Sequence, residues 1–333
     1  MSKEEPKKEG DRDEVIRFRN PNKKVSFQDK IRGLVVMDTT DLGDFIIAKS
    51  SDEPLFHLAV VVDDFEMGVN EVIRGEDHIS NTPRQILLQE ALEFQTPNYA
   101  HLPLVLATDR SKLSKRKGAL AITEYRDRGY LPETILNYMA FLGWNPGTEQ
   151  EVFFKDQLIK DFDLSKVQKG GAIFDQVKLD WLNREFIKRL SPTRLKEELA
   201  KFVPNKFLPL ANLIAERINN FSEAQKMVEV GELDFFFAPP EPSKELLKDG
   251  KFLTETITLL SDLTDDDFKE TEKIKNKLWD FATKEGRALV LWPMRVALTG
   301  QVKSPDDEGV VEFADLFQCV KNRGARLVEW LHL

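Results

Sequence analysis

The stretch that decides the fold begins at Leu58-Ala59-Val60-Val61-Val62 and ends in Asp109-Arg110-Ser111-Lys112-Leu113-Ser114-Lys115-Arg116-Lys117-Gly118. Its first run is short and wholly apolar, the pattern of a strand buried on both faces, and it closes on Asp63-Asp64. Residues 69–73 form a second strand candidate, closed by Arg74-Gly75-Glu76-Asp77. Asn81 or Thr82 then caps a helix with Pro83 at its first position, and Ile86, Leu87, Ala91 and Phe94 give it one buried face. Residues 102–107 are a third strand candidate, followed by a loop over 108–118. Strand, helix, strand and a loop at a strand end is the layout of a nucleotide-binding parallel sheet.

Working outward, residues 1–14 are dense in charge and read as a solvated tail. Val15-Ile16-Arg17-Phe18, Val25-Ser26-Phe27 and Phe45-Ile46-Ile47 cluster β-formers between turn residues, which predicts a small antiparallel layer. Beyond Thr123 the pattern turns helical. Pro132 opens a helix through Leu142 that stops at Gly143, and Asp175 caps another holding Leu179, Trp181, Leu182, Phe186 and Ile187. Trp144 and Trp181 are read as core residues. Further helices follow from Pro192, including 265–284 and 288–299, the latter with Pro293 as a kink. An α/β half followed by an α-helical half is expected.

Composition sets outer bounds. The 333 residues are 41% hydrophobic and 32% charged, with 23 Phe and five Trp to fill a core, as in a soluble globular protein. No apolar stretch approaches the ~20 residues of a membrane span, and residues 1–14 lack the apolar centre of a secretory signal. A cytoplasmic address and no membrane partner are therefore expected. A single cysteine, Cys319, excludes an internal disulfide and a multi-cysteine zinc site, so no zinc is expected. The four histidines form no His-Glu-x-x-His pair, and neither a Gly-x-x-x-x-Gly-Lys-Ser/Thr nor a Gly-x-Gly-x-x-Gly run occurs. Net charge is −9, which argues against indiscriminate DNA coating but leaves local phosphate contact open.

Residues 109–118 carry five cations and one acid. On charge alone such a run is a solvated basic turn. Its order, Lys112-Leu113-Ser114-Lys115-Arg116, resembles the signature loop of class I aminoacyl-tRNA synthetases, where lysines neutralise charge building on departing pyrophosphate. The neighbours narrow the family. Phe56-His57-Leu58-Ala59-Val60-Val61-Val62-Asp63-Asp64, Val72-Ile73-Arg74-Gly75-Glu76-Asp77-His78, Ser80-Asn81-Thr82-Pro83 and Ala100-His101-Leu102-Pro103-Leu104 resemble the bacterial glutamyl-tRNA synthetase core. So do Gly129-Tyr130-Leu131-Pro132-Glu133, Leu142-Gly143-Trp144 and Leu179-Asp180-Trp181-Leu182-Asn183. Pro293-Met294-Arg295-Val296-Ala297-Leu298-Thr299-Gly300 with Ser304-Pro305 resembles the family's last helical domain.

The resemblance implies an incomplete Rossmann-type catalytic domain with a β-rich insertion remnant, then an α-helical stem-contact and anticodon-binding region. It divides the chain into 1–53 (tail and insertion remnant), 54–125 (catalytic half with the loop), 126–191 (stem contact) and 192–333 (anticodon binding). It implies glutamate–tRNA ligation through glutamyl-adenylate, with ATP, glutamate and tRNA(Glu) as partners, Mg²⁺ arriving with ATP, no protein metal site, and a monomer. Lys115 would be the catalytic lysine. Lys112, Leu113, Ser114, Arg116 and His78 would join it around ATP, and Arg74 and Phe56 would meet glutamate. A guanidinium suits a carboxylate bidentately, although an ion pair of Arg74 with Glu76 or Asp77 is the plainer reading of the residues. A packed, hydrogen-bonded histidine is an equal reading of His78.

Two departures stand out. The family's N-terminal His-x-Gly-His signature is absent here, so a catalytically silent tRNA-binding fragment, or one half of a split synthetase, is the rival expectation. Phe56 stands where the family usually has Tyr, costing one hydrogen bond of about 0.5–1.5 kcal/mol. Cys319 is expected to be an inert small hydrophobe.

Overall fold

The computed structural model describes residues 15–237 apart from 115, 117 and 119, and 252–299 apart from 265, 268 and 269. Lys115, Gly300, Ser304, Pro305, Cys319 and His332 therefore lie outside the described residues. The chain divides into two compact units, one of residues 1–126 with 130–186 and one of residues 127–129 with 187–333.

In the first unit, β1 (Ile16–Phe18), β4 (Phe45–Ser50) and β5 (Glu53–Pro54) form an antiparallel sheet in the order β1-β4-β5. A second sheet has the order β3-β2-β7-β6, built from β2 (Lys24–Asp29), β3 (Gly33–Asp38), β6 (Glu71–Gly75) and β7 (Asn98–Leu102). The expected antiparallel layer is thus divided. Hairpin β2–β3 joins the main sheet, with β2 parallel to β7, while β1 and β4 pair elsewhere. Strand β2 alternates strictly, burying Val25, Phe27 and Asp29, as a strand with one covered face should.

The apolar run 58–62 is not a strand. It lies within helix α1 (Phe56–Glu66), and only Val61 of the helix is fully buried. A five-residue apolar run has no period of its own. Here no breaker intervenes before Gly68, whose φ of 66° follows the helix end, so eleven residues wind as one helix. Asp63 and Asp64 accordingly sit inside α1 rather than at a strand end. The parallel pair is β6 with β7, in register from Glu71↔Asn98 through Arg74↔His101 to Gly75↔Leu102. The strand expected at 69–73 starts two residues later. The one expected at 102–107 splits at Pro103, which has no N–H to continue a ladder. Its remainder, β8 (Val105–Leu106), pairs with β9 (Ala172–Ile173).

Both faces of the main sheet are covered. Helix α2 (Thr82–Ala91) lays Ile86 and Leu87 on Val25, Phe27 and Tyr99. On the opposite side Ile31 and Ala100 meet Trp144, Phe153, Leu158 and Val167. Helices α3 (Ile122–Asp127), α4 (Pro132–Phe141), α5 (Lys155–Asp161) and α6 (Gln176–Lys188) complete the order through this region. Helix α4 ends at Gly143, φ 111°, as expected from the sequence. Asp175 caps α6, its Oδ1 accepting from Lys178 N at 3.1 Å. Trp144 is core, 2% exposed, whereas Trp181 is 38% exposed with the Lys178 ammonium 4.3 Å from its ring centroid.

The second unit is helical among its described residues: α7 (Pro192–Leu199), α8 (Ala211–Arg217), α9 (Phe221–Glu229), α10 (Leu253–Ser261), α11 (Thr271–Glu285) and α12 (Arg287–Thr299). Leu199, Phe207, Ile214, Ile218 and Phe221 are fully buried in it. The helix expected from 265 starts at Thr271, after a turn in which Thr264 donates to Asp267. Pro293 lies within α12.

Candidate active site

The candidate site gathers at the C-terminal ends of β6 and β7, where an α/β sheet presents ligands. Arg74 is the penultimate residue of β6, and parallel register sets it beside His101 of β7. Its guanidinium donates from Nε to His101 Nε2 at 3.2 Å, and from Nη2 to Thr82 Oγ1 at 2.8 Å and Gln85 Oε1 at 2.7 Å. All three partners are neutral, and among the described residues Nη1 has none. The expected ion pair with Glu76 or Asp77 does not form: Glu76 pairs with Arg32, and Asp77 with Lys112. Burial pulls the Arg74 pKa down against Tyr99 and Asp64. Burial also raises the Asp64 carboxyl, with Arg74 opposing. Arg74 feels the Asp64 carboxylate but makes no salt bridge among the described residues, which leaves room for an anion at its outer face.

Beside it, the turn Glu76–His78 and the start of α1 bring together His78 and Phe56, ring centroids 5.9 Å apart, with His57 5.4 Å from Phe56. Phe56 is exposed, so it lines an open wall rather than a core. His78 Nδ1 lies 3.3 Å from Asn81 Nδ2, and its carbonyl accepts from Thr82 Oγ1. The N-cap position of α2 falls to Asn81, but its side chain turns to His78 instead of capping. Burial holds His57 below the usual histidine pKa, helped by the charges of Arg84 and Arg74.

The loop after β8 folds back on its strand. Leu113 N donates to the Val105 carbonyl at 2.9 Å, Ala107 N to that of Ser111 at 2.8 Å, and Leu106 bridges Lys112. Lys112 is exposed, and its ammonium lies 2.7 Å from Asp77 Oδ2, which ties the loop to the turn following Arg74. Leu113 is half-buried, while Ser114 and Arg116 are exposed. Arg74, His78, Phe56 and Lys112 are therefore brought to one end of the sheet.

Sequence reading missed Asp29, His101, Thr82 and Gln85 as members of this site. His101 Nδ1 sits 2.6 Å from Asp29 Oδ2, both side chains fully buried. The signal for Asp29 was present: it continues the inward face of Val25 and Phe27 at spacing two, where an acid must find partners.

A half-buried guanidinium and a lysine-bearing loop thus stand at the carboxyl ends of a parallel strand pair, in an α/β unit followed along the chain by a helical one. The family model "tRNA synthetases class I (E and Q), catalytic domain" matches residues 1–181, and "Anticodon binding domain" matches residues 179–316. The chain belongs to the class I tRNA synthetase family of the glutamate and glutamine enzymes. It is 38% identical to a glutamate–tRNA ligase of Natranaerobius thermophilus, over 89% of this chain and 64% of that relative. Against the glutamate–tRNA ligase of Aquifex aeolicus identity is 39%, over 87% and 64%. A crystal structure of a glutamate–tRNA ligase from Elizabethkingia meningosepticum in complex with its amino acid superposes with a TM-score of 0.76 at 30% identity, covering 96% of this chain and 68% of that one. The chain thus spans a little under two thirds of these two curated relatives.

Proposed function

We propose that this chain serves ATP-dependent attachment of glutamate to tRNA(Glu). The observation that carries the reading is Arg74, held by neutral partners with Nη1 free among the described residues, in a chain whose relatives are glutamate–tRNA ligases. A glutamate side-chain carboxylate would take Nη1. The edge formed by Nε and Nη2 is already engaged, so a fully bidentate contact requires Thr82 or Gln85 to yield. Phe56 and His78 would flank the amino acid and adenosine.

In the first step the α-carboxylate oxygen of glutamate attacks the α-phosphorus of ATP, and pyrophosphate leaves. In the second, a ribose hydroxyl at the tRNA terminus attacks the acyl carbon and AMP leaves. The protein's part is positioning and charge stabilisation. Lys115 would neutralise the leaving pyrophosphate, with Lys112, Leu113, Ser114 and Arg116 shaping the loop about ATP. Mg²⁺ neutralises phosphate charge when bound. Among the described residues no three His, Cys, Asp or Glu side chains gather to hold a metal, so its ligands would be phosphate and water. Residues 54–125 would supply this chemistry, with 1–53 as tail and insertion remnant, 126–191 contacting the tRNA stem and 192–333 its anticodon.

We place the protein in the cytoplasm as a monomer. No helix of the described residues is long and apolar enough to cross a membrane. The test is glutamate-dependent pyrophosphate exchange, run with and without a polypeptide corresponding to the part of the relatives that this chain does not span. Exchange in either condition supports the reading. Absence of exchange in both, with tRNA binding retained, favours a silent tRNA-binding role.

A further inference from the structure

Resting on the reading of Arg74 as the glutamate receptor, we infer that Asp29 and His101 are positioning residues that fix the polarity of its inner edge and so aim its outer face at the substrate. His101 and Asp29 are 0% and 1% exposed. A guanidinium can only donate. His101 Nε2 lies 3.2 Å from both Arg74 Nε and Thr82 Oγ1; the hydroxyl can donate or accept, but the guanidinium cannot accept, so that nitrogen carries the lone pair and the ring proton belongs on Nδ1. From Nδ1 it is donated to Asp29 Oδ2 at 2.6 Å.

The carboxylate is itself locked. Its Oδ1 accepts from the backbone N–H of Ile31 at 2.9 Å, of Arg32 at 2.8 Å and of His101 at 3.3 Å. These bonds offset burial and hold Asp29 below the usual carboxylate pKa, while burial keeps the imidazole neutral against the pull of Asp29. Anion, neutral ring and cation therefore stand in line. Tyr99 stacks on His101 with centroids 6.0 Å apart and offers its ring to the Arg74 guanidinium at 5.5 Å. Were the proton on Nε2, two donors would face each other at the Arg74 contact, and the guanidinium would be pushed off this edge. Asp29 thus selects the only tautomer that Arg74 tolerates.

Asp29→Asn in the full chain tests this. The variant is isosteric, and its Oδ1 can keep accepting the three backbone N–H groups. Its amide N–H would instead face His101 Nδ1 and drive the proton to Nε2. Ring-nitrogen NMR of ¹⁵N-labelled protein should show His101 protonated on Nδ1 in the parent and on Nε2 in the variant, with the Arg74 Nε–H resonance displaced. Glutamate affinity by calorimetry should fall by at least about tenfold, the worth of one charge-assisted contact, with ATP affinity within about twofold, since no triphosphate contact depends on this edge.

If Asp29→Asn does not fold, His101→Gln and His101→Leu replace it. Gln can still present an acceptor to Arg74 Nε and should keep glutamate affinity, whereas Leu should lose it. An unchanged tautomer with an unmoved Arg74 resonance in Asp29→Asn overturns the inference, as do equal affinities in the His101 pair. A parent chain that binds no glutamate, either alone or with the polypeptide corresponding to the remainder of its relatives, contradicts the function proposed above, and the tautomer readout then decides the positioning claim by itself.

Discussion

Replacing Arg74 by Lys keeps the charge and removes the fork. The guanidinium serves three acceptors, His101 Nε2, Thr82 Oγ1 and Gln85 Oε1. A lysine ammonium has three N–H groups but a shorter reach and no planar fork, so it cannot meet acceptors set along two edges of the guanidinium and up to two lose their donor. An unsatisfied buried acceptor costs about 1–3 kcal/mol. Arg74 is only half-buried and water can enter, so the lower end applies and the melting free energy should drop by about 2 kcal/mol in total. Binding responds separately. Nη1, the group left for a ligand carboxylate, disappears, and a charge-assisted hydrogen bond is worth about 1.5–3 kcal/mol, or roughly 10- to 150-fold in affinity. Calorimetric titration with glutamate and with glutamine, which lacks the carboxylate, measures that loss. Glutamate binding should weaken within this range while any glutamine binding changes little. A variant that binds glutamate within about twofold of the parent would refute Arg74 as the anchor, whatever its stability.

Lys115→Ala should lower glutamate-dependent pyrophosphate exchange by about 10²–10³, with ATP binding less affected, because a contact to a developing anion acts in the transition state. Lys117→Ala should cost far less, and equal losses would point to general tRNA attraction instead. Stability should fall on acidification: His101 has a depressed pKa in the fold, so below about pH 6.5 the unfolded chain binds more protons and gains. Asp29, also depressed, adds its loss at lower pH, as pH falls through its folded pKa. Urea melts from pH 8 to pH 5 should show this slope, reduced but not abolished in His101→Gln because His57 shifts the same way. Gly129→Ala should destabilise the helical unit by about 2 kcal/mol or more. At φ 78° a Cβ there would lie 2.6 Å from Phe221 Cβ and 2.8 Å from Phe221 N, and thermal melting followed by circular dichroism reads it.

Elements with punctuation were legible in the sequence. Pro132 and Gly143 bracket α4, Asp175 caps α6, and the helical second unit follows from such signals. Apolar content without period was not. The run 58–62 looks equally like a strand or a helix turn; it winds as part of α1, which runs unbroken to Glu66 ahead of Gly68, while β2 and β6 take the places beside β7. The residues that a motif carried and the structure describes, Arg74, His78 and Lys112, do come together at one end of the sheet. Asp29 showed as an acid on an inward face, but its pairing with His101 was hidden because it spans 72 positions and depends on strand register. The pairing of Lys112 with Asp77 is of the same kind.

Glutamate transfer to tRNA is measured by charging tRNA(Glu) transcripts with labelled glutamate. The chain is assayed alone and with the polypeptide corresponding to the remainder of its relatives, with each other amino acid as control. Glutamate transfer through this site predicts charging specific for glutamate in at least one of these conditions, lowered by at least about 10² in Lys115→Ala and lost in Arg74→Ala. No charging in either condition, or charging that ignores Arg74, would contradict it.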